Sequence, residues 1–264
     1  MDSQLLRSIG YFFNSEYYRF KALFAYRLQG IVWLFYSVLN VVNSVIAISV
    51  IYSISTGIAG WSYYQMLLLA GSTNMAVALL LMLPGGGWTL ISNLRRGGAD
   101  QYLTRPYSML AIMLSNFGDE EQLTGLIAGA ALFAYAALQV QMSIASAMEF
   151  MVLFLFGAAA FVMLMLALII ISYYLFKSGN FMQQIVNIVT NAGRYPIKVY
   201  GVAGQLLFSL FIPIGLAYYY PSTAILGEIS VSTAALAISV SIAIFIASRW
   251  LFYELMKRYT SGGG

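Results

Sequence analysis

The chain has 264 residues, of which 61% are hydrophobic and 8% charged, and its mean hydropathy is +0.82. Soluble domains carry about 25% charged residues, so this composition excludes one and indicates an integral membrane protein with room for roughly six spans of about 20 residues. With no His and no Cys, histidine- or thiolate-ligated metals, cysteine nucleophiles and disulfides are excluded too, and the net charge of +4 raises the question of where the thirteen Lys and Arg residues lie.

Residues 4–26 read as an amphipathic helix. Leu5, Leu6, Ile9, Phe12, Phe13, Tyr17, Phe20, Leu23 and Phe24 fall within about 140° of arc, with Arg7, Asn14 and Lys21 opposite. A helix of this aromatic and basic kind lies in a membrane interface. Glu16 falls inside the apolar arc and calls for a basic group or a partner protein. The first long apolar run starts only near Ile31, so the beginning does not read as a cleavable signal.

Apolar runs then predict spans at about 28–52, 62–84, 122–140, 147–176, 197–219 and 231–253. The fourth is longer than a bilayer requires, so it is expected to tilt or project. Between the second and third, the polar stretch Arg95–Pro106 leads into a second amphipathic segment, Pro106–Phe117, so that 95–118 reads as a loop plus an interfacial helix. Residues 180–192 form a third amphipathic piece, with Phe181, Met182, Ile185, Val186, Ile188 and Val189 opposing Gln183, Gln184, Asn187 and Thr190. Asn180 is placed to cap its start and Gly193 to end it, and the segment is expected on the cytoplasmic side. Residues 261–264 read as a linker or tag remnant.

Charge fixes the expected orientation. With the first residues inside, Arg7, Arg19, Lys21, Arg27, Arg95, Arg96, Arg105, Lys177, Arg194, Lys198, Arg249, Lys257 and Arg258 all fall in cytoplasmic pieces. The outer loops have none, so both termini are expected in the cytoplasm of a multi-pass plasma-membrane protein. The positive charge then reports topology, and no nucleic-acid partner is expected.

The spans so drawn carry no ionisable group at depth, where proton relays and ion-coupled carriers place theirs. Asp119, Glu120 and Glu121 complement the dipole at the start of the third span. No phosphate-cradling GxxxxGK[ST] loop is present, and Gly85-Gly86-Gly87-Trp88 reads as a flexible helix exit. Hence no catalytic, metal or cofactor residue is expected on this chain. Ser37, Asn40, Asn43 and Ser44 form a polar stripe on the first span, and Ser72, Thr73 and Asn74 lie within the second. Such groups either hydrogen-bond between helices or line a path, and Asn40, Asn43 and Asn74 are the pathway candidates. Gly125-xxx-Gly129 and Gly201-xx-Gly204 are close-packing signals. Pro213 interrupts the fifth span and Tyr218-Tyr219-Tyr220-Pro221 follows, so Pro213 and Pro221 mark an outer helix break, kinked or re-entrant, with Tyr218 and Tyr219 at its interface.

Taken together these segments resemble the permease subunits of ABC-2-type transporters, in a six-helix branch. Residues 98–106, with Gly98, Asp100, Tyr102, Leu103, Arg105 and Pro106, are similar to the family's Gly-x-Leu-Asp-x-x-Leu-x-Arg-Pro pattern, departing from it at Ala99 and Thr104. Arg194-Tyr195-Pro196-Ile197, and Phe211-Ile212-Pro213 through Tyr220-Pro221 to Ile225-Leu226-Gly227, carry the rest of the likeness. The resemblance implies an all-α, six-span, type V exporter-like fold with an interfacial first helix and a cytoplasmic coupling helix. It implies a second permease chain, identical or related, and two separate ATPase subunits that hold ATP and Mg. Gly98, Asp100, Tyr102, Leu103, Arg105 and Pro106 become the expected ATPase-coupling residues. A pathway of Asn, Ser, Tyr and Met without buried charge fits an amphipathic or hydrophobic cargo such as a lipid, peptide or antibiotic. The rival readings are a secondary transporter or lipid-modifying enzyme working alone, and a membrane scaffold. Either of the first two would need buried ionisable groups or an active-site cluster.

Overall fold

The computed structural model describes residues 2–25, 27–55, 57–85, 87–176 and 180–260. Gly86, Lys177 and residues 261–264 lie outside the described residues, as do the side chains of Leu5, Leu23 and Phe24. The described elements are helical: α1 (Asp2–Ala25), α2 (Arg27–Ile54), α3 (Tyr63–Met82), α4 (Trp88–Arg95), α5 (Asp100–Leu103), α6 (Met109–Asn116), α7 (Gln122–Gln139), α8 (Ile144–Phe176), α9 (Asn180–Ala192), α10 (Gly201–Leu206), α11 (Ile214–Ile225) and α12 (Val231–Met256).

Five of these, α2, α3, α7, α8 and α12, are long and apolar enough to cross a membrane. They bury unequal shares of their surface. α3 and α8 form the middle of the bundle, while α2 and α12 turn most of their apolar surface outward, as lipid-facing or partner-facing helices do. α3 and α7 run antiparallel at very close range. A β-carbon on Gly71 would sit 2.6 Å from the backbone nitrogen of Phe133, and one on Gly129 would sit 3.1 Å from that of Met75. Without side chains at those two points the helix backbones can approach, which is how helices associate where lipid removes the hydrophobic drive.

The span expected over 197–219 is not a single helix. A 3₁₀ turn (Ile197–Tyr200), α10 and a π-helical turn (Leu207–Phe211) lead to a break at Ile212-Pro213, where the chain bends by 108° into α11. Pro213 has no N–H to continue the ladder, and the break falls there for that reason. Pro221, expected as part of the break, instead lies within α11, buried.

Helix α9 also departs from its expected place on the cytoplasmic surface. Its start lies beside the end of α8, where the rings of Phe176 and Phe181 are 4.8 Å apart. Just past its end, the Gly193 carbonyl accepts a 2.7 Å bond from Thr73 Oγ1, at the middle of α3. α9 therefore rises through half of the bundle depth, with Met182, Ile185, Val186 and Val189 packed in the core. α11 carries on along the other half of α3. Tyr218 Oη donates to the Ala192 and Tyr195 carbonyls at 3.4 and 3.3 Å, Ser222 Oγ donates to Ser72 Oγ at 3.0 Å, and the Tyr219 ring stacks on Trp61. Amphipathicity alone does not separate an interfacial helix from one half-buried in a bundle.

α8 has 33 residues, about 50 Å at 1.5 Å per residue, and exceeds the ~30 Å hydrocarbon core. Its excess projects at one end of the molecule, where Tyr174 Oη donates to the Leu255 carbonyl at 2.9 Å and Ile169 packs over Gly87 at the head of α4. α1, α4, α5, α6 and the chain's last described residues gather at this same end.

Candidate functional site

Two arrangements are candidates for a functional site: the α4–α6 end and a cavity in the side of the bundle. At the first, α4 starts after Gly87 and stops before Gly97, both at positive φ of 83° and 72°. Asn93 takes the Gly98 N–H on its backbone carbonyl at 2.9 Å, and a β-carbon on Gly98 would collide with its side chain. Gly98 is thus needed for close approach within the turn. One more turn, α5, then presents two faces. Inward, Ala99 is buried and the Tyr102 ring meets Phe117 edge-on at 5.7 Å. Asp100 also faces inward: burial, then the charge of Asp100 and its hydrogen bond, push the Tyr259 phenol up to about 12. The carboxylate thereby ties α5 to the segment after α12. Outward, Gln101, Leu103 (55% exposed), Thr104, Arg105 and Pro106 are presented, beside exposed Arg95 and Arg96. Arg105 lies 5.1 Å over the Tyr102 ring and donates to Tyr11 Oη at 3.3 Å. Of the six expected coupling residues, Leu103, Arg105 and Pro106 form surface, while Gly98, Asp100 and Tyr102 brace it from behind.

α1 is strapped to this end. The Tyr11 ring stacks on Tyr107 at 4.4 Å, and Ser8 Oγ accepts from the Ser108 N–H at 2.8 Å. Arg19 donates to Glu16 at 2.9 Å, to the Ser115 carbonyl at 3.1 Å and to the Gly118 carbonyl at 2.6 Å, and reaches Glu120 at 3.5 Å. Glu16, the acid misplaced in the apolar arc, finds its basic partner one turn along. Burial nonetheless holds its carboxyl above the usual range, against the pull of Arg19.

Nearby, Asp119 is pushed up to about 6 by burial and by Glu121 and Glu120, with Arg19 opposing. A raised folded-state value means that its contribution to stability is complete below the unfolded value of 3.8 and is lost as pH rises through about 6. Asp119→Asn is therefore expected to raise thermal stability at pH 7. It should also flatten the pH dependence between about 4 and 6, read by thermal unfolding in neutral detergent.

The cavity, of about 300 Å³, opens between α2, α3, the start of α7 and the link after α9. Asn40, Asn43, Ser44 and Asn74 line it, as their placement within spans allowed. The other polar positions serve packing: Ser37 Oγ bonds Thr124 Oγ1 at 2.7 Å, and Ser72 and Thr73 make the contacts described above. Tyr218 and Tyr219, grouped with the pathway, are buried in the core and do not line the cavity. Sequence reasoning missed Arg194. Charge counting expects it in a cytoplasmic loop, yet it follows Gly193 at mid-α3 depth and lines the cavity. The signal available was the Gly193-Arg194-Tyr195-Pro196 exit from an amphipathic helix. Among the described residues no three His, Cys, Asp or Glu are placed to hold a metal ion.

The family model for ABC-2 family transporter proteins matches residues 38–263. The chain belongs to that family. No curated protein and no solved structure matches it. The resemblance carried by residues 98–106, 194–197 and 211–227 is thus borne out across most of the chain, while α1 precedes the match. As an ABC-2 family member the chain is a multi-pass membrane subunit of an ABC transporter, not catalytic itself, and it associates with ABC ATPases.

Proposed function

We propose that this ABC-2 protein is the permease half of an ATP-driven exporter of an amphipathic molecule, working with a second permease and two ATPase subunits that hold ATP and Mg. The α4–α6 end faces the cytoplasm, as do both termini. Arg95, Arg96, Arg105, Lys257 and Arg258 at this end fit the inner side of a membrane. The observation that carries the reading is the two-faced α5. Its outward Leu103, Arg105 and Pro106 suit a soluble partner, and its inward Asp100 and Tyr102 are tied to the segment after α12 and to Phe117 beside the head of α7. A push on this surface would reach both of these attachments at once. The stand-alone transporter is disfavoured by family membership.

The test substitutes two exposed residues, of which Arg105 also gives up its exposed bond to Tyr11. Leu103→Asp with Arg105→Glu is expected to lower substrate-stimulated ATP hydrolysis of the reconstituted complex about 10-fold or more, since losing an interface anchor costs about 2 kcal/mol. Insertion and thermal stability should stay near wild type. Unchanged stimulation would rule the surface out. Asp100→Arg would not isolate it, because that change also cuts the tie to Tyr259.

A further inference from the structure

Arg194 lines the cavity, outside the proposed coupling surface, and its surroundings define a task for it. It is exposed on the open side of the cavity, and its side chain makes no hydrogen bond or ion pair with any described residue. Asn43 and Asn74, on the facing helices, likewise make no side-chain hydrogen bond to a described residue. Beside Asn40, Ser44 and Gln122, the wall offers hydrocarbon from Ile48, Met66, Ala70 and Val77. A guanidinium offers five donors in a planar fork, and at this depth in a bilayer an unanswered charge costs several kcal/mol. The acceptor that answers it is an anion with bidentate oxygens, and the wall beside it suits a chain.

Access follows from α9. Gln184, Asn187 and Asn191 repeat at spacings of three and four on its exposed face, and Arg194 continues the row. This polar row climbs from the α4–α6 end to the cavity, a track for a headgroup whose chain stays in lipid.

We propose that the cavity binds an anionic amphiphile, its phosphate or carboxylate head on Arg194, Asn43 and Asn74 and its chain against the α2–α3 wall, as the cargo-loading site of the transporter. The cargo role rests on the permease reading; the binding does not.

The test measures binding to the full chain in phosphatidylcholine nanodiscs, without ATP, using dodecyl phosphate, dodecylphosphocholine and inorganic phosphate. Dodecyl phosphate is expected to bind about 10-fold or more tightly than either, in line with a charge-assisted bidentate contact. Arg194→Gln should remove that preference, Arg194→Lys should keep part of it, and Lys21→Gln, a charge removed from α1, should leave it intact. A preference that survives Arg194→Gln, or inorganic phosphate binding as well as the amphiphile, would overturn the site. In the complex with its ATPases, binding of dodecyl phosphate without stimulated ATP hydrolysis would overturn the cargo role alone. Loss of coupling in the Leu103 and Arg105 variant leaves the binding measurement untouched, so the two proposals fail separately.

Discussion

Replacing Gly157 by leucine should prevent α11 from docking and leave the protein unable to unfold cooperatively. A β-carbon at Gly157 would collide with the Leu216 carbonyl group and lie 2.8 Å from the Ala217 nitrogen. These are backbone atoms of α11 and cannot rotate away as a side chain can. α11 would have to move off α8 bodily, and with it would go the stacking of Tyr219 on Trp61 and the Ser222–Ser72 bond that attach α11 to α3. Overpacking a core costs about 1–3 kcal/mol, and a backbone collision between helices belongs at or above the top of that range. Gly125→Ala is the control. Its β-carbon would meet nothing nearer than 3.6 Å, and the change should cost less than about 0.5 kcal/mol. Size-exclusion profiles and thermal unfolding in neutral detergent read both. A Gly157→Leu protein as stable as Gly125→Ala would show that α11 is not seated as described.

That contrast also shows what could be read in the sequence. The Gly125-xxx-Gly129 pair pointed to a close crossing, and Gly129 does sit on α3, but Gly125 is loose, and the tighter contacts belong to Gly71 and Gly157, which carry no motif. A glycine marks close approach only through what lies opposite, and that is set by the fold. Apolar run length found the five straight spans, because lipid imposes it directly. The charge-rich motif at 97–106 found the α5 turn, because its glycines and proline fix local backbone. Tyr218 and Tyr219 were misplaced because an interfacial aromatic belt and a buried aromatic pair read alike in one dimension. Arg194 was misplaced for a related reason. Counting charges by loop assumes that every polar stretch between spans is outside the membrane, and α9 with its exit turn is a polar stretch folded into the bundle.

Arg19→Ala should detach α1 from α6, and the pH dependence of the damage should identify the cause. Arg19 and Glu16 are 15% and 8% exposed at their side chains, so this is a largely buried pair rather than a surface one. Removing one partner of such a pair costs about 3–5 kcal/mol, because the other charge is left uncompensated. The Ser115 and Gly118 carbonyls also lose their donor. Glu16 already sits above the usual carboxylate range through burial, and without Arg19 its strongest opposing influence is gone. Its protonated form is then favoured in the folded state. The sign follows: with the folded value raised, stability is fully present below the unfolded value of 4.5 and falls as pH climbs through the folded one. Arg19→Ala should therefore be most damaging at neutral pH and recover as pH falls. Adding Glu16→Gln, which removes the stranded charge, should recover much of the loss at pH 7 and abolish the recovery at low pH. Hydrogen exchange of α1 amides gives the local readout, and thermal unfolding the global one. A loss that is the same at every pH, or that Glu16→Gln deepens, would mean that the carbonyl contacts rather than the ion pair hold α1 in place.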